Sequence, residues 1–233
     1  MGKAFDLSLL GTFLPELLAY LPTTLLILAA SLFFGLLLGL LLAIPRLYNI
    51  PVLTQLVVVY VSFIRGTPVL IQLFLVYYGL PAVLGLVHLD LSRADPLLFV
   101  IVTYALSSAA FLSETIRGSV NSVDLGQTEA AYAVGMTARQ AFRRIVLPQA
   151  LMVTVPNFAN KVIGFLKDTS LAFTIGVMDM MGRGQTLISA TAHALEVYIS
   201  LAVIYYLVVI VLERLFAASE RKLQQHERKW ASA

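Results

Sequence analysis

Cysteine is absent from the 233-residue chain, which excludes a disulfide framework, an iron–sulfur cluster and a thiol nucleophile. Charge is scarce as well. Asp, Glu, Lys and Arg make up 12% of the residues, against about a quarter in soluble domains. So little charge implies that most of the surface faces lipid. The net charge of +3 reads as an excess of Lys and Arg on one side of a membrane, not as a nucleic-acid footprint. No G-x-x-x-x-G-K-S/T phosphate loop occurs, so the chain does not bind and hydrolyse ATP in the P-loop manner. His88, His193 and His226 lack metal-ligand spacing, and no metal is expected.

What the chain has in abundance is apolar sequence, 59% of its residues. A membrane helix needs about 20 of them in a row. Residues 17–44 qualify, with Arg46 just beyond. Residues 52–80 are long enough to span with tilt, although Arg65-Gly66-Thr67-Pro68 interrupts them. Residues 97–116 form a third span holding one acid, Glu114. Residues 145–166 form a weaker fourth, marked by Pro148, Pro156, Asn157, Asn160 and Lys161, and residues 197–217 a clean fifth. Residues 171–181 are apolar but too short to cross, so a re-entrant or interfacial piece is expected. Residues 1–16 lack the compact basic-then-apolar pattern of a cleaved leader, and the first span is read as retained. The division is then an external segment 1–16, a membrane domain 17–217 with a cytoplasmic loop 121–148, and a basic tail 218–233.

Orientation follows the basic residues that flank the spans. With the N-terminus outside, ten Lys and Arg residues fall in cytoplasmic segments and four (Lys3, Arg93, Lys167 and Arg183) in external ones. That split favours an external N-terminus and a cytoplasmic C-terminus.

The cytoplasmic loop is the most informative stretch. Asp124 followed by Gln127, and Thr137 followed by Gln140, resemble capping boxes. Gly135 lies between them and suits a C-cap. A helix, a turn and a second helix result. Ala130, Ala131 and Ala133 of the first helix let another surface come close, and Arg139, Arg143 and Arg144 ride on the second.

Glu129-Ala130-Ala131, then Gly135 and Ile145-x-Leu147-Pro148, looks like the EAA motif of ATP-binding-cassette importer permeases. Phe63-Ile64-Arg65-Gly66-Thr67-Pro68 with Gln72, Ser113-Glu114-Thr115-Ile116-Arg117-Gly118 and Lys167-Asp168-Thr169-Ser170-Leu171 are similar to the polar amino-acid branch of that family. Within that branch, residues 167–181 and the tail look most like cystine permeases. The resemblance covers residues 17–217. It implies an all-α, five-span, type I importer permease of the bacterial inner membrane. It also implies that Glu129, Ala130, Ala131, Gly135 and Arg139 dock a separate ATPase subunit, which binds ATP and Mg. The implied partners are that ATPase, a second permease chain (identical or paralogous) and an extracytoplasmic amino-acid-binding protein.

Ionisable groups within spans mark function by default. Glu114 either pairs with Arg117 on its own helix face or receives an ammonium, with Ser107, Ser108, Ala109 and Ala110 leaving room. Pro68 frees the carbonyl of Ile64. The break of Arg65 to Gln72 either packs the bundle or, through Thr67 and Gln72, meets a zwitterion. Lys167, Asp168 and Ser170 either close the external end, with Asp168 as an N-cap, or offer both charges to an amino acid. Asn157, Asn160 and Lys161 are read as satisfying a helix broken at Pro156. An ion-coupled secondary transporter is the competing reading. It requires midplane carboxylates and leaves the patterned loop without use.

Overall fold

A computed structural model describes residues 4–91 and 93–231, with side chains to residue 223. Lys3 and the tail side chains of His226, Arg228 and Lys229 lie outside the described residues. The chain runs through α1 (Ser8–Leu18), α2 (Leu21–Leu47), α3 (Leu53–Gly66), α4 (Val69–Gly85) and α5 (Pro96–Asn121). Then come α6 (Leu125–Ala133), α7 (Ala138–Ala141), a π turn (Phe142–Val146), α8 (Leu147–Asp168), a 3-10 segment (Thr169–Ile175), α9 (Met180–Thr191) and α10 (Ala194–Ala231). Among the described residues α2, α5 and α10 are each long and apolar enough to cross a bilayer. Helix α8, at 22 residues, is long enough for the crossing expected of it but carries more polar groups.

The segment expected to span with tilt does not run straight. Helices α3 and α4 meet at a bend of 113°. The cause is local. Pro68 has no N–H to donate, and the residue before a proline is driven out of helical space. Thr67 accordingly sits at φ −119° and ψ 143°.

Helix α5 is the hub of the bundle. In its most apolar stretch 61% of the residues are buried, against 33% for α2 and 28% for α10, so the latter two carry the outward faces. Lipid offers no hydrophobic drive between helices, and close packing of small residues takes its place. Gly35 and Gly39 of α2 lie against Ser108, Ala109 and Leu112 of α5. A Cβ built on Gly39 would meet Leu112 Cβ at 3.0 Å and the Ala109 carbonyl at 3.2 Å. Tyr104, Phe165, Leu73 and Ile27 then fill the centre between α5, α8, α4 and α2.

The N-terminal segment contributes an element that its composition did not announce. Helix α1 buries Phe13 and Leu17 against Val197, Leu201 and Ile204 of α10. Glu16 pairs with Arg183 of α9, and the Asp6 N–H donates to Glu196 Oε1 at 2.8 Å.

Helix α8 is continuous through Pro156, so the expected break there does not occur. Asn157 Nδ2 donates to the Val153 carbonyl at 2.8 Å, which is not the carbonyl that Pro156 leaves without its helical donor.

Candidate functional site: the 121–148 loop and the polar face behind it

Asp124 opens α6 by accepting from the Gly126 N–H at 2.7 Å, without the reciprocal Gln127 bond of a full capping box. The helix closes on Gly135, at φ 81°. The Gly135 N–H donates to the Tyr132 carbonyl and the Met136 N–H to the Ala131 carbonyl, both at 3.0 Å. This is the paired-bond helix ending that calls for a left-handed residue. Thr137 and Gln140 then form the reciprocal capping box that starts α7. Two well-specified helix ends thus hold one rigid turn.

That turn presents an uncovered apolar surface. Leu125 is 78% exposed, Tyr132 49% and Val134 74%. Glu129 and Ala130 are exposed beside them, and Gly135 and Arg139 are exposed across the turn. Ala131, of the same motif, is buried instead. It anchors α6 to the rest of the loop and is not part of the outer surface.

The second loop helix runs into α8 through a π turn. The Leu147 N–H reaches back five residues to the Phe142 carbonyl. Pro148 leaves the Arg144 carbonyl without its usual donor, and a widened turn accommodates the mismatch. Proline at that position was the available signal for the π turn.

Behind the loop, Glu114 is held between two guanidinium groups, Arg46 of α2 and Arg117 of its own helix. The Arg117 partner follows from i,i+3 spacing. Arg46 lies 68 positions away in sequence, and no local pattern identifies it. With both oxygens engaged, this carboxylate joins α2 to α5.

At the α3–α4 break the Gln72 amide nitrogen donates to the Ile64 carbonyl at 2.7 Å and the Thr67 carbonyl at 3.0 Å. Gln72 is buried, and its Oε1 has no partner. The Thr67 hydroxyl donates to the Phe63 carbonyl at 2.9 Å. Gln72 and Thr67 therefore seal the break itself. Arg65 stays exposed, its guanidinium carbon 5.7 Å from the centre of the Phe111 ring. Lys161 Nζ lies 3.5 Å from the same centre and 4.4 Å from that of Phe165. Lys161 thus serves a ring-lined face rather than the backbone near Pro156.

Asp168 ends α8 with helical backbone angles and makes no side-chain cap, so its expected N-cap role is overturned. An N-cap needs extended backbone angles to turn its side chain onto the following N–H groups, and Asp168 at φ −64° and ψ −26° does not have them. Its carbonyl accepts from the Tyr104 hydroxyl at 2.7 Å. Ser170 Oγ donates to the Lys167 carbonyl at 2.7 Å, and Lys167 points outward. The cap in this region is Asp179, which accepts from the Gly182 N–H at 2.9 Å to start α9. Burial pushes the Asp179 carboxyl up to about 6, against the opposing bond from Gly182.

Comparison with known proteins points one way. The family described as "Binding-protein-dependent transport system inner membrane component" matches residues 35–225. The chain is 57% identical over 227 residues to the L-cystine transport system permease protein TcyL of Bacillus subtilis, covering 97% of this chain and 95% of that protein. It is 41% identical over 226 residues to the nopaline transport system permease protein NocM of Agrobacterium fabrum, covering 96% and 94%. It superposes on a chain from the crystal structure of an amino acid ABC transporter with histidines, with a TM-score of 0.84. That match has 29% identity and covers 94% of this chain and all of the other.

Proposed function

We propose that this chain, which belongs to the family of inner-membrane components of binding-protein-dependent transport systems, is the membrane-spanning subunit of an ATP-driven importer for a polar amino acid, with L-cystine the first candidate. The similarity to TcyL along almost its whole length supports that candidate. Energy enters through the exposed turn from Leu125 to Arg139, which an ATPase subunit grips. A second permease chain completes the pathway, and a binding protein delivers substrate from outside. ATP and Mg belong to the ATPase. The chain lies in the bacterial inner membrane with its N-terminus outside and its C-terminus in the cytoplasm.

The observation that carries the reading is the rigid, uncovered apolar turn. A monomer seldom leaves residues such as Leu125 and Val134 in water without a partner, and the two helix ends make the turn stiff enough to transmit force. ATP binding moves the turn as one body, and α8, continuous with it through the π turn, moves with it. On the membrane side the substrate passes Arg65, Asp168, Lys167 and Ser170, while Thr67 and Gln72 hold the break that presents Arg65. Glu114 acts on the pathway indirectly, by fixing α2 to α5.

The test is reconstitution. Permease, ATPase and binding protein in proteoliposomes should take up L-cystine only with ATP. Glu129→Lys should release the ATPase on size exclusion or uncouple hydrolysis from uptake. Uptake by the permease alone, driven by an ion gradient, would sink this reading.

A further inference from the structure

We infer that Arg65 and Lys161, both drawn to the Phe111 ring, form the receptor for the carboxylate of the transported amino acid. This rests on the importer reading above. Both cations lie in or beside the membrane helices, at the end of α3 and within α8. Phe111 is ten residues, about 15 Å, from the cytoplasmic end of α5. Neither cation has an ion-pair partner among the described residues; the pairs found there involve Arg46, Arg117, Arg183 and His193 instead. Each is held over the face of Phe111, and Lys161 also over Phe165.

A ring face attracts a cation but replaces only part of the hydration that the cation loses. Two cations on one ring also repel each other. The arrangement has an unmet demand for an anion, and the groups that bear on it are arranged for a carboxylate. Arg65 is exposed and presents a planar fork of donors, which suits two carboxylate oxygens. Lys161 is half-buried and supplies a compact charge at the same ring. Asp168 lies two helical turns beyond Lys161 on the same helix face and is the acid that acts on it electrostatically. It leaves a negative group on the external side, where the ammonium of the same substrate would trail. The sequence motif drew attention to Arg65 alone. Lys161 enters because α8 packs antiparallel to α5 and brings it to the same ring.

The measurement is discrimination between L-cystine and L-cystine diamide, whose carboxylates are replaced by neutral amides. Binding of each is measured by calorimetry on the detergent-purified permease–ATPase complex without binding protein. The wild-type complex should prefer L-cystine. In Lys161→Met and in Arg65→Gln that preference should fall by at least about tenfold, the loss expected when one charged partner of a carboxylate is removed. Lys161→Arg should keep it. A purely structural role would weaken both ligands alike and leave their ratio unchanged, which would overturn the proposal. So would equal binding of both ligands by the wild type. Arg65→Gln alters an exposed side chain and serves if Lys161→Met fails to assemble. A wild-type complex that imports no amino acid in the reconstituted system fails at the importer reading instead, and takes this inference with it.

Discussion

At the residue scale, two positions repay experiment. Gly135 sits at φ 81° with nothing within 4 Å of where a Cβ would stand. Space is therefore available, and only the backbone conformation resists substitution. A valine there costs on the order of 1–3 kcal/mol of strain, relieved by reshaping the turn. Gly135→Val should leave the permease folded but lower ATP-driven uptake about tenfold relative to hydrolysis, measured together in proteoliposomes; Gly135→Asn, which tolerates positive φ, should retain coupling. The second position is Arg46. Glu114 is half-legible in sequence, because Arg117 follows at helical spacing and Arg46 does not. Removing Arg46 leaves a largely enclosed carboxylate oxygen without its charged partner, a loss of about 2 kcal/mol. Arg46→Ala should lower the melting temperature of the solubilised complex by about 4–8 °C, and Arg46→Lys by much less. An unchanged melting temperature for Arg46→Ala would show that the bridge contributes little.

At the element scale, helix ends account for most of what could and could not be foreseen. The Thr137–Gln140 box and the Gly135 cap are local, three to five residues in extent, and could be read directly. Asp168 was assigned a cap that Asp179 provides, because α8 continues two residues further than its apolar run and the 3-10 segment delays the next start. Asp179 also gives the start of α9 a pH dependence. Its folded value of about 6 lies above the ordinary 3.8, so the folded state holds more protons between those values. The stability it contributes is full at low pH and is lost as pH rises through about 6. Thermal denaturation of the purified complex should show this loss between pH 4 and 6. Asp179→Asn, which keeps an N-cap acceptor, should flatten the profile across that interval.

For the whole molecule, the absence of cysteine makes topology directly measurable. Leu125→Cys and Ser189→Cys place single thiols at exposed sites at opposite ends of the bundle. In intact cells an impermeant maleimide should label Ser189→Cys and spare Leu125→Cys, and inverted vesicles should give the reverse. Labelling in the opposite sense would invert the orientation proposed here. The same large-scale view explains why α5 is central. It touches α2 through glycine-bearing faces, α8 through Tyr104 and Phe165, and α4 through Phe99 and Tyr77. Any displacement of α8 would therefore be felt at Phe111, whose ring Lys161 of α8 meets.

The chain's own order of residues determined the membrane class, the position of the apolar segments, the turn at Gly135 with its caps, and the break at Pro68. Each of these depends on composition or on neighbours within a few positions, where steric and hydrogen-bond rules act without reference to the rest of the molecule. Only the tertiary structure decided the 113° bend, the docking of α1 against α9 and α10, the Arg46 bridge, and the meeting of Arg65 and Lys161 at Phe111. Those pairings join residues tens of positions apart. Which side chains meet is set by how the helices cross and how close small residues let them come, and that information is spread over every helix in the contact.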